Sequence, residues 1–333
     1  MRVSVLGGGS WGTALADVLA RQGNEVSLWL RDTAVAQDIN GKHENTRYLK
    51  GHVLPDTLTA TTYLPSSLKD AEAVVVVIPT PSIREVLREH AHSIPTQVPI
   101  IAASKGIENG TLMTVAQILE DVLPEVYEPY LAFLSGPSFA KEVCAQQPTA
   151  VTIAASWHKV AERSQALFTA PYFRTYTSTD VLGVEVGGAL KNVMAIGAGI
   201  ADGLGFGHNT RAALITRGLA EISRVGTVMG ANPLTFMGLA GMGDLVLTCT
   251  GGLSRNRTVG VELGKGKKLE QILEELGMVA EGVKTTASAH DLGKKLGVEM
   301  PITEAVYQVL YEGKSPKQAV VELMSRAPKS ENQ

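Results

Sequence analysis

The chain has 333 residues, a length that favours two domains over one. Hydrophobic residues make up 44% and charged residues 19%, enough apolar material for buried cores and far from the disordered regime. A formal net charge of -3, with no block of like charge, argues against nucleic acid as the main partner.

The N-terminus MRVSVLGGGSWG runs straight into a strand and a glycine turn. It lacks the charged region, apolar run and cleavage site of a secretory signal. Short apolar runs then alternate with helical patterns through the first half. Strands are predicted at 3–6, 26–30, 73–78, 100–103, 131–134 and 150–154. Most are β-branched or continuously apolar, which suits strands covered on both faces in a parallel sheet. Segments 13–21, 83–90 and 112–123 carry helical spacing. The alternation implies an open α/β sheet with right-handed crossovers. Its longest apolar run, 73–78, is far too short to span a bilayer, so no membrane insertion and a cytoplasmic address are expected.

The pattern changes near Ser178. Val186, Leu190, Val193, Gly197, Ile200 and Leu204 step by four and three, one apolar stripe on a long helix. Leu214, Ile215, Gly218, Leu219, Ile222, Val225 and Met229 do the same on the next. Further helical patterns cover 269–276, 287–296, 303–311 and 316–324. The expected division is a nucleotide-binding sheet domain over 1–178, an all-helical domain over 179–326 and an unpacked tail over 327–333. The two cysteines, Cys144 and Cys249, and the seven scattered histidines show no metal-ligand spacing, so no metal is expected.

Gly7, Gly9 and Gly12 form GxGxxG between a predicted strand and a predicted helix. In that context the first glycine permits a tight turn and the second lets backbone approach a pyrophosphate. The third allows close helix–strand packing. Free amides at the helix N-terminus then face the phosphates of a dinucleotide. This is the fingerprint of a Rossmann-type doubly wound sheet holding NADP(H) or NAD(H). At the end of the second strand Arg31 suits a 2′-phosphate, while Asp32 beside it suits free ribose hydroxyls. The sequence leaves both cofactors open.

Lys105 follows the strand 100–103, and Gly136 and Ser138 follow 131–134, all at strand carboxyl ends where ligands bind in such sheets. Lys191 lies beside the apolar stripe of the long helix. Enclosure would lower its pKa and suit it as a general base, or it snorkels over apolar surface. The cluster Ser254–Arg255–Asn256–Arg257 opens a helix, with Ser254 as N-cap. Arginines sit there against the helix dipole, a conflict that a bound phosphate would remove. Asp244, in the predicted loop GMGDL, either accepts a substrate hydroxyl or serves only as a turn aspartate. Together these features predict a small phosphorylated alcohol or carbonyl, oxidised or reduced by hydride transfer with one lysine-assisted proton transfer.

The stretches GGGSWGTALA, INGKHENTRYL, ASKGIENGT, LSGPSFAKEV, GGALKNVMAIGAGIADGLGFG and LAGMGDLVLTCTGGLSRNRTVG resemble the bacterial-type NAD(P)-dependent glycerol-3-phosphate dehydrogenase family. The resemblance implies reversible oxidation of sn-glycerol 3-phosphate to dihydroxyacetone phosphate, supplying glycerol phosphate for phospholipid synthesis. It implies cofactor contacts from Ser10, Trp11, Arg31, Lys105, Ala140, Arg255, Val279 and Glu281. It implies substrate contacts from Lys105, Gly136, Ser138, Lys191, Asp244, Ser254, Arg255 and Asn256, with Lys191 as proton acceptor. A homodimer and a helical domain like that of 6-phosphogluconate dehydrogenase are also implied. Lys50 departs from the family's usual proline, which affects only its own loop. Two other readings remain, a dehydrogenase of a β-hydroxy acid or 6-phosphogluconate, and a nucleotide-binding redox sensor without catalysis.

Overall fold

A computed structural model of the chain describes residues 1–277, 280–328 and 330–331. The first half is one sheet of strands β1 (Arg2–Leu6), β2 (Glu25–Trp29), β3 (Leu58–Thr61), β4 (Ala73–Val76), β5 (Ile100–Ala102), β6 (Leu131–Ser135), β7 (Thr149–Ala154) and β8 (Phe173–Ser178). Their spatial order is β3-β2-β1-β4-β5-β6-β7-β8. The chain winds outward from β1 to β3, then returns to the other side of β1 with β4. The crevice between the carboxyl ends of β1 and β4 is therefore the topological switch point of a doubly wound sheet.

The helices of this half are α1 (Ser10–Arg21), α2 (Thr33–Lys42), α3 (Leu64–Leu68), α4 (Thr80–His90), α5 (Val115–Val122), α6 (Ala140–Cys144) and α7 (His158–Phe168). They cover both faces of the sheet, which explains the continuous apolar runs of the central strands. Val3, Val5, Val75 and Ile101 point into one core with Leu15 and Leu19 of α1. Their neighbours Leu6, Val74, Val76, Ile100 and Ala102 point into the other, with Ile83 of α4 and Ile118 of α5. This is the period of two that a strand imposes.

The sheet departs from the sequence expectation at its margins. β3 and β8 were not expected as strands. Both lie at edges of the sheet and read LTAT and FRTYTS, half polar because only one face is covered. The sheet is also not wholly parallel: β7 runs antiparallel to β6, and β8 then pairs parallel with β7. Helices α2, α3, α6 and α7 were likewise not anticipated.

The second half is helical: α8 (Val181–Gly203), α9 (His208–Met229), α10 (Asp244–Thr250), α11 (Arg255–Gly264), α12 (Leu269–Leu276), α13 (Glu281–Leu296), α14 (Pro301–Tyr311) and α15 (Pro316–Met324). α13 begins before the expected residue 287, because its first turns bury small groups (Gly282, Thr285, Thr286) that leave no apolar stripe. α8 is the axis of this half. Asp180 caps it through a 3.0 Å bond from the Gly183 amide. It is long and apolar enough to cross a bilayer, contrary to the run-length reading of the sequence, but 83% of its most apolar window is buried inside the fold. It is a core helix. Glycines let α11 cross α8 at backbone contact: a Cβ on Gly199 would lie 2.1 Å from the Arg257 carbonyl, and one on Gly260 2.1 Å from that of Ile196. The crossing fixes the start of α11 against the middle of α8. Of the expected tail, Ala327, Pro328, Ser330 and Glu331 are exposed, and residues 329, 332 and 333 lie outside the described residues.

Candidate active site

The glycine turn after β1 is dictated by contacts that no side chain survives. Gly7 has φ +124°, and a Cβ there would lie 2.5 Å from the Val77 carbonyl beyond β4. A Cβ on Gly12 would lie 1.8 Å from the Gly7 carbonyl, so α1 packs directly on the turn. Gly9 differs: it is exposed, nothing lies within 4 Å of its Cβ position, and no side chain caps α1 there. That is open backbone at a helix N-terminus, the arrangement that receives a pyrophosphate. Trp11 has a buried indole N–H with no hydrogen-bond partner in the same turn. These features fit a dinucleotide.

Ser10 is committed elsewhere, its hydroxyl donating to the Tyr48 carbonyl at 2.9 Å. Asn45 joins this clasp, its Nδ2 donating to the Gly8 carbonyl at 3.0 Å and to Thr13 Oγ1 at 2.8 Å. No sequence signal singled out Asn45. At the end of β2, Arg31 is exposed and makes no hydrogen bond or ion pair among the described residues. Asp32 is occupied: it caps α2 by accepting from the amides of Ala34 (3.0 Å) and Val35 (3.3 Å), and pairs with Arg47 at 2.7 Å.

Beside this turn lies a buried charge triad. Lys105, from the end of β5, donates to Asp244 Oδ2 at 2.7 Å and to the Gly136 carbonyl at 3.3 Å. Lys191, from the middle of α8, donates to Asp244 Oδ1 and to Thr248 Oγ1, the latter at 3.0 Å. Asp244 opens α10 rather than lying in a loop, and it is 1% exposed. Its two oxygens each take one ammonium, so its first task is to hold two lysines together. Thr248 lies one turn further along α10. Its spacing of four from Asp244 is the signal by which the sequence shows it, since both fall on one helix face.

The electrostatics follow from burial. Desolvation pushes the Lys191 ammonium down to about 8, with Asp244 opposing and Lys105 adding to the shift. Burial pushes the Asp244 carboxyl up, but Lys105 and Lys191 outweigh it and hold the group below its ordinary value. The triad thus joins a carboxylate that stays charged to a lysine that can lose its proton near pH 8.

The third element is the start of α11. Ser254 caps it, accepting from the Arg257 amide at 3.2 Å. Arg255 is exposed at the site. Arg257 turns away to pair with Asp202 at 2.7 Å, so the conflict with the helix dipole that the sequence suggested is partly removed without a ligand. Asn256 is buried between helices: its Nδ2 donates to Asn192 Oδ1 at 2.9 Å, and its Oδ1 accepts from the Gly282 amide at 3.0 Å. That bond seats Glu281, the first residue of α13, whose carboxyl is pushed up by burial against the pull of Arg255, Lys105 and Lys191. Ser138 bonds the Gly136 carbonyl at 3.0 Å, and Ala140 opens α6 beside it. Val279 lies outside the described residues. The structure therefore gathers Lys105, Lys191, Asp244 and Glu281 electrostatically, and leaves Arg31 by itself at the end of β2.

Comparison with known proteins bears on what this arrangement does. Residues 2–161 match the family described as NAD-dependent glycerol-3-phosphate dehydrogenase N-terminus, and residues 180–321 match its C-terminus counterpart. A protein of Myxococcus xanthus named glycerol-3-phosphate dehydrogenase [NAD(P)+] is 59% identical over 331 residues, 99% of each chain. One of the same name from Citrifermentans bemidjiense is 54% identical over 330 residues, covering 99% of this chain and 98% of that one. A crystal structure of glycerol-3-phosphate dehydrogenase from Coxiella burnetii superposes with a TM-score of 0.91 at 39% identity, over 97% of this chain and 98% of that one.

Proposed function

The chain belongs to the NAD-dependent glycerol-3-phosphate dehydrogenase family, and on that premise we propose how its own residues carry out the reaction. The protein is an oxidoreductase that interconverts sn-glycerol 3-phosphate and dihydroxyacetone phosphate with NAD(P)(H), a source of glycerol phosphate for phospholipid synthesis. The nicotinamide cofactor, when bound, accepts or supplies the hydride. Gly7, Gly9, Gly12, Ser10 and Trp11 form its pyrophosphate turn, with Arg31, Lys105, Ala140, Arg255 and Glu281 completing its contacts among the described residues.

Lys191 is the general base. The observation that carries this assignment is an ammonium on a buried helix, brought to about 8 and aimed by Asp244 and Thr248. In the oxidative direction neutral Lys191 takes the hydroxyl proton as hydride leaves the same carbon. In the reductive direction its ammonium returns that proton to the carbonyl oxygen. Asp244 stays anionic and offsets the charge of Lys105 and of protonated Lys191. Lys105, Gly136 and Ser138 face the reacting end of the substrate. Ser254, Arg255 and Asn256, at the N-terminus of α11, receive its phosphate.

Two folding units, 1–178 and 179–326, frame this site, a division supported by the sheet's ending at Ser178. We read the protein as a cytoplasmic homodimer. Leu234 and Met237, each 70% exposed, and Met242 and Val246 near the start of α10 supply apolar surface for the contact. Sedimentation equilibrium giving a monomer would refute it.

The test follows nicotinamide absorbance during reduction of dihydroxyacetone phosphate and oxidation of glycerol 3-phosphate. Lys191→Ala is expected to lower turnover by about 10³-fold while cofactor binding, read by fluorescence, is retained. In the wild type, oxidative kcat/KM rises with pH and levels off above about 8, as Lys191 loses its proton. Unchanged turnover in the variant would remove Lys191 as the base.

A further inference from the structure

Away from the lysine–aspartate triad, α1 carries a second buried polar cluster. Asp17 sits among Ala14, Ala16 and Val18 and, like them, is 0% exposed. His52 reaches it from the loop between α2 and β3, and Cys144 from the last residue of α6. One donor atom from each of Asp17, His52 and Cys144 lies within 4.8 Å of the other two. No sequence motif links these positions; only the fold assembles them.

An Asp17–Arg21 ion pair accounts for part of the cluster. Arg21 Nε donates to both Asp17 oxygens, at 3.0 and 2.9 Å, and its Nη2 donates to the Val53 carbonyl at 3.0 Å. It does not account for the rest. His52 Nε2 lies 3.3 Å from Asp17 Oδ1 yet makes no hydrogen bond, and it is buried. Cys144, 4% exposed, brings a thiol to the same point. The Tyr172 hydroxyl is also buried without a partner, and it feels the charges of Asp17 and Arg21 and the Cys144 thiol. A carboxylate shared with Arg21, an imidazole nitrogen without a hydrogen bond and a buried thiol converge at one point, and together they make a ligand set.

We propose that Asp17, His52 and Cys144 form a binding site for a divalent cation of the Zn²⁺ class. Mixed oxygen, nitrogen and sulfur donors suit that borderline-soft ion, and three protein ligands leave a fourth tetrahedral position to the Tyr172 oxygen or to water. Binding forms the sulfur–metal bond and releases the thiol proton to solvent, with no change of oxidation state. The thiolate offsets one charge of the dication, and Asp17 shares its carboxylate between the metal and Arg21. Arg21, with 30% of its side chain exposed, keeps its bond to Val53 when it yields one face of Asp17.

The role of such an ion is structural. It would tie α1, the 43–57 loop and α6 at one point. That loop also holds the glycine turn, through Asn45 to Gly8 and Thr13 and through Tyr48 to Ser10. The ion would therefore stiffen the cofactor turn without touching the reacting atoms.

The experiment uses the full-length protein, stripped with a chelator and titrated with Co²⁺ as a spectroscopic probe, then with Zn²⁺. One equivalent of Co²⁺ should bind with a thiolate-to-metal charge-transfer band. Zn²⁺ should raise the melting temperature by about 5 to 10 °C, the shift expected at a hundredfold excess over Kd for a domain of this size. Cys144→Ser should abolish the band and His52→Phe should weaken binding at least tenfold. Cys249→Ser, at the other thiol, should change neither. His52 is on a surface loop, so its variant answers the question even where Cys144→Ser fails to fold. A wild type without the band, or equal binding by wild type and both ligand variants, overturns the proposal.

Discussion

In the sheet half, the cofactor turn is made of backbone: Gly7 and Gly12 are required because neighbouring carbonyls leave no room for a Cβ. In the helical half, the proposed chemistry rests on charged side chains taken out of water, with Lys191 and Asp244 both below 10% exposure. The two designs fail differently. A backbone cradle tolerates change in everything except the residues that keep it open. A buried charge triad is stable only while complete, because each charge compensates the others.

Asp244→Ala tests the second half of that comparison and carries the largest expected effect. It leaves buried Lys191 and part-buried Lys105 beside each other without their shared anion. Removing one member of a buried ion pair costs about 3–5 kcal/mol, and here the loss is compounded by repulsion between the ammonium groups. Turnover should fall by about 10³-fold or more, since Lys191 loses both aim and charge balance. Urea unfolding and steady-state rates measure the two effects. A variant with near-wild-type stability would mean that the lysines relax to water and that the triad is not a closed unit.

Glu185 sharpens the comparison from the seam between the halves. It lies on α8, accepts from the Ala116 amide at 2.8 Å, and leaves its other oxygen without a partner. A cavity of about 10 Å³, room for one water, is lined by Glu185 with Ser104, Lys105 and Ser135. Burial pushes its carboxyl up to about 7, against the pull of nearby Thr114 and of the Ala116 amide, with Glu120 adding repulsion. The folded protein thus binds a proton that the unfolded chain has already lost above 4.5. Stability therefore falls as pH rises from about 4.5 through about 7 and is flat above, a total of about 3 kcal/mol. Glu185→Gln should remove that slope, giving wild-type stability near pH 4 and greater stability near pH 8 (about 3 kcal/mol at most). Parallel stability curves for the two proteins would show that Glu185 does not titrate in this range.

The same contrast explains what the sequence made legible. GxGxxG could be read because a backbone demand fixes residue type at a fixed offset. Lys191, Asp244 and the Ser254 cap were visible as residues, but not the bond joining Lys191 to Asp244, which spans 53 positions. Asp202 was invisible for the same reason, and without it Arg257 looked unpaired. Asn256 is legible as a candidate phosphate contact, but not the hydrogen bonds by which it also ties α8 to α13, because those partners lie far away in sequence. β3 and β8 escaped notice because edge strands bury one face and carry no continuous apolar run.

Arg31 is a charged side chain proposed to meet the cofactor at the rim of the backbone-built half, and its variant carries the smallest effect. Asp32, the alternative partner for a ribose, is committed to capping α2 and to Arg47. Arg31 remains exposed at the carboxyl end of β2, where a 2′-phosphate would sit. A charge-assisted contact is worth about 1.5–3 kcal/mol, so Arg31→Ala should lower kcat/KM for NADPH by about tenfold or more. The value for NADH should stay within about twofold, because the glycine turn proposed for the pyrophosphate is untouched. If both cofactors lose equally, Arg31 serves the turn as a whole, and the division between a backbone cradle and charged side chains fails at its edge.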